Sequence, residues 1–224
     1  MDDGSAIRYS AGVAGLLFLI MTSITLVTGV SQQWFEQVHG LDEYTRRMSS
    51  DAGILTIILS FDDMFIAAYV VATVALARGL ARASGPWSVV ALTAACLGGL
   101  LDYVENHHML SQLRWLEAGG VLSSAAIQAQ MIVSSLKWML GHLAFVAIAF
   151  ALQPRATLDR LFQLSLIGVQ LPMGVLVWTQ PNPLWYWSRA LCFLAGFVYV
   201  AARARTLVGE ARAHVDVDTE RVAP

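Results

Sequence analysis

The sequence predicts an all-α fold, a six-transmembrane-helix bundle with a short interfacial helix in its first outer loop. Three observations predict it. Of 224 residues, 57% are hydrophobic and only 13% are charged, about half the charged share of a soluble domain. Six apolar runs each approach or exceed the roughly 20 helical residues that a bilayer requires. The arginines gather on alternate connections, as the positive-inside rule demands.

In order, the runs are Ala11–Val30, Ala52–Ala77, Pro86–His108, Met131–Leu152, Leu158–Thr179 and Leu184–Ala202. Charge, Gly or Pro bounds each of them, and none alternates apolar with polar residues as a barrel strand does. Met1-Asp2-Asp3 is acidic where a secretory signal is basic, so the first run is expected as a retained span. Between the first two runs, Trp34, Val38, Leu41 and Met48 recur at helical spacing. That pattern predicts a short helix lying at the interface, with a lid over an outward cavity as the alternative. Gly98-Gly99 and the small residues Ser123, Ser124, Ala125, Ala126, Ala129, Ser134 and Ser135 are suited to close helix packing. Pro172, between Gly168 and Gly174, predicts a kink in span five. Beyond Arg205 the chain turns polar and loses its periodicity. One transmembrane domain over residues 1–205 and a disordered polar tail over 206–224 are therefore expected.

Orientation follows from charge. With both termini in the cytoplasm, the inner segments hold Arg8, Arg78, Arg82, Arg155, Arg160, Arg203, Arg205 and Arg212, and the outer ones Arg46, Arg47, Arg114 and Arg189. The bias has one sign throughout, and an even number of spans agrees with it. Trp34, Trp115, Trp178, Trp185, Tyr186 and Trp187 form an aromatic belt at the outer interface. The expected location is the cytoplasmic membrane.

The polar residues inside the spans carry the functional question, because ionisable groups in hydrocarbon are costly and demand partners. Span three ends in Asp102-Tyr103-Val104-Glu105-Asn106-His107-His108. Asp102, Glu105 and Asn106 share a face at i, i+3 and i+4, and Met109 continues it. Span two contains the adjacent pair Asp62-Asp63, and span four holds Lys137, the only lysine in the chain. At 1.5 Å per residue, Asp102 and Lys137 both lie roughly 5–9 Å outward of the midplane, with Asp62, Asp63 and His142 near it. A short connection makes spans three and four antiparallel neighbours. An ion pair from Lys137 to Asp102 or Glu105 is therefore expected, extended outward by Gln130 and Ser134. His142 points away from that stripe, toward span two, and Gln163 and Gln170 add a polar face to span five. His107 and His108 point elsewhere and read as interfacial caps rather than metal ligands.

Several classes are excluded or disfavoured. A net charge of -2 without a basic stripe gives no nucleic-acid surface. Cys96 and Cys192 fall within apolar runs, lack metal-ligand spacing and read as packed thiols. No nucleotide, hydrolase or zinc-protease motif is present, and no metal or cofactor is expected.

Three functional readings follow. The leading one is a small proton-coupled transporter or permease subunit. Its core is Asp102, Glu105 and Lys137, and its path includes Asp62, Asp63, Asn106, Gln130 and His142. A second is an intramembrane enzyme using the same carboxylates for acid–base chemistry on a lipid or isoprenoid. The third is a non-catalytic membrane subunit or assembly factor in which the ion pair sets helix register. The bilayer is the expected partner, with a small molecule or lipid as substrate. Enzyme status and oligomeric state stay open.

Overall fold

Where no water reaches the backbone, a spanning segment must satisfy its own peptide groups, and an apolar run of this length does so as a helix. The computed structural model describes residues 2–154, 156–179 and 182–222, with side chains described except at 82–84, 178, 183 and from 210 onward. The expectations for Arg82, Arg155, Trp178 and Arg212 lie outside the described side chains.

Among the described residues, six helices are long and apolar enough to cross a membrane. The first, α1 (Asp3–Thr28), starts where the Asp2 carboxylate accepts the Ser5 backbone N–H at 2.6 Å and stops at Gly29, whose φ of 72° suits glycine. Two short helices, α2 (Gln32–Phe35) and α3 (Leu41–Ser50), follow. Next come α4 (Ala52–Ser84), α5 (Pro86–Glu117) and α6 (Ser124–Ala151). Ser123 caps α6 by accepting the Ala126 N–H. The fifth span is α7 (Thr157–Ser165), a π-helical turn (Leu166–Gln170) and α8 (Leu171–Thr179); the last is α9 (Pro183–Val222). Pro172 offers no N–H to the carbonyl four residues back, and the wide turn lies immediately before it. The expected kink is thus a π-turn.

Spans run past the apolar runs on which they are built. On α5 the helix continues to Glu117, and on α9 Leu207 and Val208 are still buried beyond Arg205. The α9 backbone is helical as far as Val222, where the sequence predicts a disordered tail.

Packing places α5 between α4 and α6, and α1 between α4 and α9. The π-turn and α8 bridge α6 to α9. Gly98 and Gly99 permit the closest approaches. A Cβ on Gly98 would lie 3.5 Å from Leu140 of α6, and one on Gly99 would collide with Val70 of α4. The small residues of α6 behave differently: Ser123, Ser124, Ala125, Ala129 and Ser135 are exposed, and of the set only Ser134 is buried. Their expected role in packing is thereby corrected, since that face of α6 meets no other described helix. Cys96 is likewise exposed rather than packed.

Among the described residues, two large apolar clusters and a small one of Ala94, Ala95 and Ala144 fill the bundle. One large cluster, at the end carrying the termini, gathers Ile7, Leu76, Leu80, Ala147, Leu166 and Val208. The other, at the end carrying α2 and α3, gathers Leu17, Phe35, Tyr44, Met48, Leu59 and Met109. Met48 is buried as its spacing predicts, but Val38 is 81% exposed. Phe35 and Tyr44 take the interior instead, because the break after α2 restarts the helical phase at Leu41. As a result α2 and α3 plug the end of the bundle, and α2 carries the next residue, Glu36, inward.

Candidate functional site

Lys137 is the centre. Its Nζ lies 2.8 Å from Glu36 Oε1 and 2.8 Å from Asp102 Oδ1, and it also contacts Glu105 Oε2. The expected pairing of Lys137 with Asp102 or Glu105 is present, and it is made with both. Glu36 is a third partner that the sequence reading did not include. The ammonium is 8% exposed and Glu105 fully buried, so each charge depends on the others for the solvation that hydrocarbon denies it.

Every acid in contact with Lys137 is bonded a second time. Glu36 Oε2 accepts the Trp138 indole N–H at 2.8 Å. Asp102 Oδ2 accepts the Tyr69 hydroxyl at 3.0 Å. Glu105 Oε1 accepts the Gln130 amide at 2.9 Å and the Ser134 hydroxyl. Gln130 in turn lies 2.8 Å from His108 Nδ1 through its Oε1. His108 therefore belongs to the network, whereas the sequence placed it apart. Tyr44 closes the far side by donating to Gln112 at 3.1 Å.

Asp62 forms a second branch. Its Oδ2 accepts the Asn106 amide at 2.9 Å and the Gln32 amide at 3.2 Å. Asn106 also donates to Asp63 Oδ1 at 3.0 Å, and Gln32 to Asn106 Oδ1 at 3.0 Å. Adjacent acids on a helix diverge by about 100°, and the structure separates them accordingly. Asp62 is buried, while Asp63 is half-buried and 3.9 Å from the exposed His107 ring. No cation among the described residues contacts Asp62. His142 stands outside both branches. It packs against Gly174 of α8 and near the Trp138 ring, on the side away from span two. That corrects the expected direction of this residue, and the close Gly174 backbone is the reason the ring fits there.

These branches form one wall of a cavity of about 210 Å³. It begins at Ser31, Gln32, Gln33 and Glu36 and runs between α1, α4, α5, α6 and α9 to Thr73, Ala94 and Phe145. Beyond them the termini-end cluster fills the bundle. The deeper walls are largely aromatic: Phe18, Phe65, Phe145, Phe193 and Phe197. Arg189 lines the same cavity, 4% exposed, with its guanidinium 3.9 Å from the centre of the Trp138 ring. The sequence counts Arg189 as an outer-segment arginine; in the structure it stacks on Trp138 of α6 and is buried.

Outside the spans, charge shapes two groups at this site. Burial pushes the Glu36 carboxyl upward, but the Lys137 ammonium, the Trp138 indole and Arg189 outweigh it and hold the group below its ordinary value. Burial, with Glu105 and Glu36 nearby, pushes the Tyr44 phenol well above its usual range. A hydrogen-bonded set of this kind can hold and pass protons. Among the described residues, no three His, Cys, Asp or Glu side chains are grouped as metal ligands.

Compared with protein-family models, curated proteins and solved structures, the chain matches none.

Proposed function

We propose that the protein is a proton-coupled carrier of a small molecule, set in the cytoplasmic membrane with both termini inside. One observation carries this reading: acids shielded from solvent outnumber the cations beside them around a cavity covered at one end by α2. Glu36, Asp62 and the half-buried Asp102 line the cavity, Glu105 joins them through Lys137 behind the wall, and these four carboxyls share two cations, Lys137 and Arg189. Fully ionised, the site would carry two uncompensated negative charges. Each such charge in hydrocarbon costs several kcal/mol even after relaxation, so the site holds protons instead. Asp62 is the natural carrier, since two neutral amides and no cation bond it. Lys137 keeps the other three acids together.

The arginine bias supports placing the α2 and α3 end outside, because Arg8, Arg78, Arg160, Arg203 and Arg205 all belong to the opposite end. A cavity covered by α2 at one end and blocked by apolar packing toward the other has the form of an occluded state of alternating access. Proteoliposomes with a pH-sensitive dye inside test the proposal, challenged in turn with small organic acids, amines and neutral compounds. Proton movement that depends on one class, and is lost in Asp62→Asn, is the expected result. Equal movement by wild type and variant, or none with any class, overturns it.

The aromatic depth of the cavity favours a second reading, acid–base chemistry on a lipid or isoprenoid held with its apolar part among Phe18, Phe65 and Phe197. A product formed from such a substrate in sealed vesicles, without proton movement, would select it.

A further inference from the structure

Among the described residues, two buried polar atoms on the cavity wall lack a hydrogen-bond partner, the Gln33 Oε1 acceptor and the Arg189 Nη1 donor, and of these only Arg189 carries a charge. The acids on its wall are already served: Glu36 by Lys137 and Trp138, Asp102 by Lys137 and Tyr69, Asp62 by Gln32 and Asn106. Arg189 is the opposite case. It is buried, it stacks on Trp138, and its Nη1 has no hydrogen-bond partner. An unmet guanidinium donor in a water-poor site is expensive, and its fork geometry matches a carboxylate better than any other common group. Below it the walls are apolar and aromatic. The volume, about 210 Å³, is under the roughly 300–1,000 Å³ of pockets for drug-sized ligands.

From this arrangement we infer that the transported molecule is a small amphipathic carboxylate, its acid group paired with Arg189 and its apolar body lying in the aromatic chamber. The inference rests on the carrier reading and names its substrate class. An amine would find acceptors only at Gln33 Oε1 and Asp62 Oδ1, and Arg189 in the same small chamber would repel it. An uncharged amide would satisfy Nη1 with one oxygen rather than two.

The anion also explains the proton. Titratable groups facing the site are Glu36 from the segment after α2, Asp62 and Tyr69 from α4, Asp102 from α5, Lys137 from α6, and Tyr186 and Arg189 from α9, with Glu105 of α5 behind Lys137. The set already lacks positive charge, so a carboxylate adds a further negative one and must arrive with a proton. Binding of the two is linked, each raising the affinity for the other. No bond is made or broken, and charge balances as one anion with one proton.

The experiment is calorimetric binding of 4-phenylbutyrate to the purified full chain in nanodiscs, in two buffers of different ionisation enthalpy, beside 4-phenylbutyramide and 4-phenylbutylamine. The acid is expected to bind at least 10-fold more tightly than either relative, with about one proton taken up. Arg189→Gln should weaken it about 10- to 100-fold, as loss of a charged hydrogen-bond pair does. Arg189→Lys, which keeps the charge but not the fork, should fall between. Because the ligand comparison uses the wild-type chain, a variant that fails to fold leaves the test intact. Equal binding of the amide, or preferred binding of the amine, overturns the carboxylate assignment while leaving a proton-coupled carrier standing. Binding of the acid without proton uptake overturns the coupling and the carrier reading with it. No binding by any probe overturns the site.

Discussion

Glu36 and Lys137, separated by 101 positions in the chain, meet at 2.8 Å inside the bundle. The contact joins a segment between spans to the middle of a span, and it closes a triad of acids around a single ammonium. Removing one partner of a buried pair typically costs about 3–5 kcal/mol. Lys137→Met strands three carboxyls at once, so its effect belongs at or above the upper end of that range. The companion change Asp102→Asn should not restore stability, because Glu36 and Glu105 stay uncompensated. A simple register pair would be rescued by that double change. Thermal unfolding in detergent, comparing the two single variants with the double, separates these outcomes.

The pH dependence follows from Glu36. Lys137, Trp138 and Arg189 hold its folded value below the ordinary 4.5 despite burial. A group depressed on folding contributes stability above its unfolded value and loses it as pH falls through the folded one. Glu36→Gln should therefore unfold at a lower temperature than wild type at about pH 7, with the gap narrowing below about pH 4. A gap that is constant from about pH 7 to about pH 3 would contradict the assignment.

How much of this site was legible depended on where each residue sits relative to a regular element. Asp102, Glu105 and Lys137 could be joined in advance because i, i+3 spacing fixes a face and a short connection fixes the neighbour. Glu36 could not, since its direction depends on α2 ending at Phe35 and on the break that follows. Val38 misled for the same reason: its spacing from Trp34 is helical, but the helix stops between them. Arg189 counts as an outer-segment arginine, and only the stacking on Trp138 shows that it is buried. His142 shows the limit of helical phase. Its angle was readable, but which helix stands there depends on Gly174, distant in sequence.

Close packing at Gly99 makes a third prediction. A Cβ there collides with Val70, and the Tyr69 hydroxyl is 3.6 Å away. Gly99→Ala should thus push α4 from α5 and disturb the Tyr69–Asp102 bond, costing about 1–3 kcal/mol as overpacking does. Gly141→Ala, whose Cβ meets nothing within 4 Å, is the control, and differential scanning fluorimetry of the two checks the contrast.

The π-turn at Leu166–Gln170 makes the last prediction. Bulges of this kind store an unused register, and here the turn stands where α6 and α9 are bridged. Gln170 is buried within it and its Oε1 has no partner, so the wide turn is held against a polar penalty. Replacing Pro172 by Ala returns an N–H that can bond the Gly168 carbonyl, and the segment should then relax toward regular α-helix. Relaxation would rotate α7 relative to α8, dragging Gly174 off the His142 ring while leaving Lys137 and its acids in place. Stability of Pro172→Ala should therefore equal or exceed that of wild type, with transport slowed, if repacking of span five accompanies opening of the far end. Unchanged turnover in vesicles together with raised thermal stability would show that the bulge is passive.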